Sequence, residues 1–324
     1  MSRALQRVSR WWLERNGFRS RMVHTSVGDV HALEARGDGP LPPVAVMHGL
    51  SSASSQFAAV LRGLKRSCRR VMAVDAPAHG FSPVPRTGPS YETLRNGWFE
   101  GLDRLIPVGD PAFVLGNSMG GYAALRYAAT RPERVRGLIL VSPGGAKMTA
   151  ERFEELLDSF RLRSVDDALA FLGRLFSRPH PLRRWIAPFV LRELSKEELR
   201  ILMDRMCVLE LLDPEEIQSI RHPVLFIWGD QDRILPRESR DFFLKHLPPH
   251  AQVVLPPHFG HSPQLEHPDE LVELTTQFLS AAELRTPSTE PTPSVARVDA
   301  STLGRNERHA LGSAPRDPRV QNQV

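Results

Sequence analysis

Ser118, Asp232 and His261 have the residue types and settings that nucleophilic catalysis needs. Ser118 lies in Gly-Asn-Ser-Met-Gly, residues 116–120. A strand-like apolar run, Pro-Ala-Phe-Val-Leu at 111–115, precedes it, and a stretch of helix formers at 121–131, stopped by Pro132, follows it. A serine between glycines at such a junction predicts a sharp turn that presents the hydroxyl, because glycine tolerates the backbone angles and the close approach of strand to helix. A hydroxyl attacks a carbonyl near neutral pH only with a base beside it. His261, in Gly-His-Ser-Pro at 260–263 after the apolar run 252–255, offers an imidazole able to take that proton and return it to a leaving group. Asp232 closes Gly-Asp-Gln-Asp at 229–232, after Val-Leu-Phe-Ile-Trp at 224–228, and would hold the imidazole tautomer and stabilise the imidazolium. Asp230 and His258 compete on position alone, the first as a turn cap and the second as a loop or core histidine.

An acid after one strand and a histidine after the next fall in loops at the carboxyl ends of strands, where an α/β sheet carries its chemistry. Four further stretches join them. Residues 44–50 read Val-Ala-Val-Met-His-Gly-Leu, and residues 74–82 read Val-Asp-Ala-Pro-Ala-His-Gly-Phe-Ser. Trp228 to Asp232 is followed by Pro236, and Gly260-His261 leads to Pro268. In these motifs, taken in this order, the chain resembles the α/β-hydrolase superfamily over about residues 22–284. The resemblance implies an α/β fold, a mostly parallel sheet flanked by helices with an inserted helical cap, and an esterase- or lipase-like serine hydrolase. It selects Asp232 over Asp230 and His261 over His258 as partners of Ser118. It also implies an oxyanion hole built from the backbone N–H groups of Met119 and Leu50, with Ser51 beside Leu50 as an alternative donor; one such donor is worth about 3 kcal/mol in the transition state. His48 and His79 fall to structural roles in the loops, and His222 and His267 to boundary positions beside prolines.

The nucleophile is a serine, which argues against the epoxide hydrolases and haloalkane dehalogenases that place a carboxylate there. The elbow Gly-Asn-Ser-Met-Gly-Gly is similar to that of meta-cleavage-product hydrolases, which cut carbon–carbon bonds. The loop after His48-Gly49, however, reads Leu-Ser-Ser-Ala-Ser-Ser rather than that group's glycine- and proline-rich loop. The expectation is therefore an ester or thioester with an apolar acyl group, cleaved through an acyl-enzyme without a cofactor. C–C hydrolysis is the alternative within enzymes, and a non-catalytic ligand-binding protein is the alternative outside them. No metal is expected: no His/Cys/Asp spacing matches a metal site, and Cys68 and Cys207 stand apart.

Between apolar strands at 135–141 and 224–228 lies a stretch far longer than an ordinary α/β loop. Its apolar residues recur at helical spacing: Phe153, Leu156, Leu157 and Phe160; Leu169, Leu172 and Phe176; Trp185, Ile186 and Phe189; Leu199, Leu202, Met203 and Met206. Residues 146–221 are read as a helical cap over a core of 22–145 and 222–284, its apolar stripes sealing it to the body above an apolar pocket. Arg161, Arg163, Arg174, Arg178, Arg183 and Arg184 are read as solvated, with one able to meet a carboxylate or phosphate.

The chain has 324 residues, 41% of them hydrophobic, and a net charge of +5. Residues 1–21 hold six arginines and one glutamate, and residues 285–324 six arginines and four acids, so the ends carry +7 and the body is left near −2. That distribution excludes a nucleic-acid-binding face on the body. Two separate cysteines and no apolar run of membrane-spanning length point to a cytoplasmic enzyme. Residues 1–21 read as a basic amphipathic helix with Leu5, Val8 and Trp12 on one face. It either packs on the body, the preferred reading, beside a first hairpin turned at Gly28-Asp29, or makes a peripheral membrane contact. It lacks the apolar centre of a signal peptide. Residues 285–324, rich in Pro, Thr, Ser and Arg, read as a disordered tail.

Overall fold

The computed structural model describes residues 3–284; the tail expected at 285–324 lies outside them. The chain opens with α1 (Arg3–Arg15) and a hairpin, β1 (Arg19–Thr25) and β2 (Gly28–Arg36). Then follow β3 (Val44–Met47), a 3₁₀ turn (Ser54–Phe57), α2 (Ala58–Ser67), β4 (Arg70–Val74), α3 (Tyr91–Asp103), β5 (Ala112–Asn117), α4 (Met119–Thr130) and β6 (Val135–Val141). Five helices intervene before the next strand: α5 (Ala150–Asp158), α6 (Val165–Leu175), α7 (Arg183–Leu194), α8 (Glu197–Arg205) and α9 (Pro214–Gln218). The chain closes with β7 (Val224–Ile227), α10 (Arg237–His246), β8 (Gln252–Val254), α11 (Pro263–Glu266) and α12 (Pro268–Leu284).

The eight strands form one sheet in the order β1-β2-β4-β3-β5-β6-β7-β8. The hairpin and its junction with β4 are antiparallel, and every other pairing is parallel. The period-two alternation of the central strands explains why both faces are covered. Ala45, Met47, Met72, Val74, Val114, Leu138 and Leu140 point into one apolar layer, with Leu94, Trp98 and Ala124 of α3 and α4. Val44, Val46, Val71, Ala73, Leu115, Ile139 and Val141 point into the other, with Leu61 and Leu64 of α2 and Leu271 and Phe278 of α12. A parallel sheet buried on both faces needs such unbroken apolar strands.

Two expectations need correction. The hairpin turns at Ser26-Val27, with Thr25 paired to Gly28, so Gly28 and Asp29 already belong to β2. Gly28 opens that strand at φ +123°, which a side chain would resist. The helix α1 does pack on the body, but not by the face the sequence suggests. Leu13 and Gln6 are buried, while Leu5 and Val8 are exposed together with Trp11. Trp12 is partly buried against the second apolar layer, with Arg62 over its ring. A glutamine in the buried seam is what hid that face from a hydrophobic pattern. Among the described residues no helix is long and apolar enough to cross a membrane.

Trp98 is fully buried under the sheet, and its indole N–H donates to the Val74 carbonyl at 2.9 Å. Trp98→Ala should lower the unfolding free energy by about 3–5 kcal/mol. Trp98→Phe keeps most of the packing and should lose only about 1–2 kcal/mol, chiefly the cost of the orphaned carbonyl. Urea titration of both variants measures the difference.

Candidate active site

Ser118 is the single residue between β5 and α4, held at φ 57°, ψ −121°, a conformation that costs a non-glycine residue energy. The turn closes because its neighbours have no side chains. A Cβ on Gly116 would strike the Gly120 carbonyl, and a Cβ on Gly120 would strike that of Met47. The Ser118 carbonyl accepts from the amides of Gly121, Tyr122 and Gly144, which anchors the bend to α4 and to the loop after β6. Asn117 ties it to a distant segment: its Nδ2 donates to the carbonyls of Val141 and His261, both at 3.1 Å, and its Oδ1 accepts from Gln264.

His261 and Asp232 come from the loops after β8 and β7 and meet directly. The ring Nδ1 donates to Asp232 Oδ2 at 2.7 Å, which leaves Nε2 as the ring's acceptor. Asp232 Oδ1 accepts from the amides of Ile234 and Leu235 at 2.9 and 3.2 Å. Burial pushes the Asp232 carboxyl up, but the imidazole and the two amides outweigh it and hold the acid below its ordinary range. Ser118 and His261 line the same cavity, although among the described residues no hydrogen bond joins Ser118 Oγ to the ring. The amides of Met119, Leu50 and Ser51 donate to no turn or loop carbonyl among the described residues. Gly49 is close enough that a Cβ there would lie 3.3 Å from Ser118 Cβ.

The competing residues are engaged elsewhere. Asp230 pairs with Arg240 at 2.9 Å, and His258 Nε2 meets Glu270 at 2.7 Å. His258, His267 and Glu270 each bring a potential ligand atom within 4.8 Å of the others, a cluster that sequence spacing did not disclose. The His258–Glu270 hydrogen bond and the stacking of His267 on Phe259, at 5.2 Å and 6°, account for its arrangement without an ion.

A buried polar network holds the loop that carries Gly49 and Leu50. His48 Nδ1 donates to the Gly49 carbonyl at 2.8 Å, and its Nε2 accepts from the Ala76 amide at 3.0 Å. Asp75 accepts from the amides of Ser54 and Phe81 and pairs with His31 Nδ1 at 2.8 Å. Burial lowers His48 below the usual imidazole range, and burial with the neighbouring His48 lowers His79 to about 3. Burial thus disfavours the charged form of both rings.

The cavity above Ser118 measures about 770 Å³. The loop after β3 walls one side, and α6, α7 and α11 wall the rest, with Phe160, Phe171, Leu172, Phe176, Ile186 and Val190 giving it an apolar lining. The five-helix insertion thus lines the cavity, but not every apolar stripe turns inward as the sequence reading expects. Ile186 faces the cavity, whereas Trp185 and Phe189 of the same helix are 78% and 40% exposed. Of the arginines read as solvated, Arg161 bridges Glu154 and Asp204, Arg163 meets Asp158, and Arg178 lines the cavity.

The sequence pattern of the alpha/beta hydrolase fold matches residues 42–268, and the chain belongs to that family. It is 27% identical over 271 residues to the pimeloyl-[acyl-carrier protein] methyl ester esterase of Nitrosomonas europaea, covering 74% of this chain and 96% of that one. It is 26% identical over 306 residues to a monoacylglycerol lipase of Rattus norvegicus, covering 86% and 87%. A solved bacterial membrane phospholipase A superposes with a TM-score of 0.70 at 26% identity, over 87% of this chain and 92% of that one. A 2-hydroxy-6-oxo-6-phenylhexa-2,4-dienoate hydrolase from Rhodococcus superposes with a TM-score of 0.68 over 81% and 99%; at 24% identity that likeness shows the fold alone.

Unfolded, His48 and His79 take up protons as the pH falls through about 6.5; folded, His79 resists until about pH 3 and His48 until below its ordinary range. Protonation therefore favours the unfolded chain in this window. The unfolding free energy should fall between pH 7 and pH 5, with a limiting slope of about 1.4 kcal/mol per pH unit for each ring. The depressed carboxyls of Asp75 and Asp232 contribute stability that is present above about pH 4 and lost only below it. A urea midpoint flat from pH 7 to pH 5 would show that the two rings already accept protons in the folded state.

Proposed function

We propose that the protein is a serine-dependent hydrolase of carboxylic esters or thioesters with an apolar acyl group. The observation that carries this reading is Ser118 on its strained turn, in one cavity with a histidine whose other ring nitrogen is bonded to a buried aspartate. On this reading His261 Nε2 takes the Ser118 proton as Oγ attacks the acyl carbonyl. The oxyanion forms against the amides of Met119 and Leu50, the alcohol or thiol leaves with the proton returned by His261, and water repeats the sequence to release the acid. Asp232 stabilises the imidazolium. The apolar lining gives the acyl chain its place, and residues 146–221 act as the cap that excludes water from it. The lipase and esterase relatives support the substrate class. No step calls for a cofactor.

The rim supports a lipid source for that ester. Arg178, Pro179 and Pro181 are exposed where they line the cavity, and Leu182, Trp185 and Phe189 continue outward from them. Residues 177–194 hold four arginines and one acid, Glu193, which is buried. Exposed tryptophan and leucine among unopposed arginines suit the interface of an anionic bilayer. We take this face of α7 as the peripheral membrane contact, with the exposed Val8 and Trp11 of α1 as a second.

A fluorophosphonate probe should form one adduct, on Ser118, that Ser118→Ala abolishes; a folded protein that takes no label would favour a non-catalytic ligand-binding protein instead. Asp232→Asn should lower kcat about 10⁴-fold by stabilising the wrong tautomer. Vesicles of phosphatidylcholine with phosphatidylglycerol should sediment the full chain, and vesicles of phosphatidylcholine alone much less. Arg183→Glu with Arg184→Glu and Trp185→Ser should abolish that binding while leaving hydrolysis of a short soluble ester unchanged. Equal binding by the triple variant would remove α7 as the contact.

A further inference from the structure

Helix α7 turns Ile186, Val190, Glu193 and Leu194 toward the cavity. Three of the four suit an acyl chain, and the fourth does not. Glu193 is only 5% exposed, an unusual place for a carboxylate unless its oxygens are satisfied. One of them is: Oε2 accepts from Lys196 Nζ at 2.7 Å, one helical turn away. The other is not, because Oε1 is buried and has no hydrogen-bond partner among the described residues. Two further polar atoms on the cavity wall share that condition: Ser52 Oγ, in the loop after β3, and Gln264 Oε1, in α11, are buried and without a partner among the described residues.

An apolar pocket alone would have no use for such atoms. A buried carboxylate oxygen that no protein group satisfies is costly unless water or a ligand brings it a donor. The kind of donor follows from Lys196. Its ammonium already balances the carboxylate, so a cationic ligand would bring a second positive charge into a poorly solvated site. A hydroxyl donates without adding charge, and its oxygen can in turn accept from a serine hydroxyl such as Ser52.

We propose that Glu193 is a specificity residue that accepts a hydrogen bond from a substrate hydroxyl, so that the preferred substrate is a hydroxylated ester with an apolar chain. The inference rests on the ester-hydrolase reading of the same cavity. The hydroxyl belongs either to the alcohol part, as in a partial ester of a polyol, or to the acyl part, as in a hydroxyacyl ester. Both satisfy Oε1 by the same chemistry.

Three matched probes separate the cases: propyl decanoate, 1-decanoylglycerol and propyl 10-hydroxydecanoate. The wild-type protein should prefer one hydroxylated ester over propyl decanoate by about tenfold or more in kcat/KM, as a hydrogen bond to a charged acceptor warrants. A preference for the glycerol ester assigns the hydroxyl to the alcohol part, and a preference for the hydroxydecanoate to the acyl part. Glu193→Leu should abolish the preference, bringing kcat/KM for the hydroxylated ester to that for propyl decanoate. Glu193→Gln keeps an acceptor oxygen and should restore part of the preference, which a merely structural Glu193–Lys196 pair would not do. Equal efficiency on all three esters, or a preference that survives in Glu193→Leu, overturns the assignment and leaves the ester-hydrolase reading intact. Failure of the folded wild-type protein to cleave any of the three, together with no fluorophosphonate label on Ser118, overturns both.

Discussion

The chain leaves β5 and enters α4 through one residue, Ser118, and most of the surrounding architecture can be traced to the tightness of that turn. Its backbone sits at a positive φ that serine does not favour, so the neighbours must hold it there. They do so by contact and by hydrogen bonds. Gly116 and Gly120 let strand, helix and the end of β3 approach until only hydrogen atoms fit between them, and three amides converge on the Ser118 carbonyl. Asn117 passes the constraint on to the loop that carries His261, 144 residues away in sequence. Displacing the turn would therefore move the His261 loop and the Gly49 loop with it.

Around that point the protein separates its polar groups into two kinds. In the loops after β3 and β4, buried histidines and Asp75 are hydrogen-bonded and stiffen the backbone without reaching the cavity. On the cavity wall, Glu193 Oε1, Ser52 Oγ and Gln264 Oε1 have no hydrogen-bond partner among the described residues. Other buried side-chain atoms among the described residues, such as His79 Nε2 and Ser142 Oγ, also lack a partner, so what distinguishes these is their place on the cavity wall. The helix α7 belongs to this division as well. It presents apolar residues on both faces, inward to the cavity and outward to solvent, where an ordinary surface helix has a polar outer face.

Much of the sheet was legible in the sequence because strands buried on both faces must be apolar throughout; the runs at 111–115, 135–141, 224–228 and 252–255 all match strands within a residue or two. The placement of Ser118, Asp232 and His261 was legible because a turn this tight admits few alternatives to glycine, and because the serine, acid and histidine each follow a strand. The inward face of α1 was not legible: its seam buries Gln6, and a hydrophobic pattern has no term for a buried glutamine. The outward face of α7 was missed for the opposite reason. Trp185 and Phe189 carry the same periodicity whether they seal against the body or face solvent.

The sequence by itself determined the alternation that covers both faces of the sheet, the glycine frame of the turn, and the order in which serine, aspartate and histidine emerge after their strands. These depend on side-chain volume and local backbone freedom, which are properties of neighbouring residues. The tertiary structure decided which aspartate and which histidine meet, because Asp230 and Asp232 are alike in composition and differ only in reach: one lies beside Arg240 and the other beside His261. It likewise decided which faces of α6 and α7 border the cavity, and it left Glu193 in the wall with one oxygen bound to Lys196 and the other without a partner among the described residues. Those outcomes depend on distances between segments far apart in the chain, set by how the layers pack, and no local pattern encodes them.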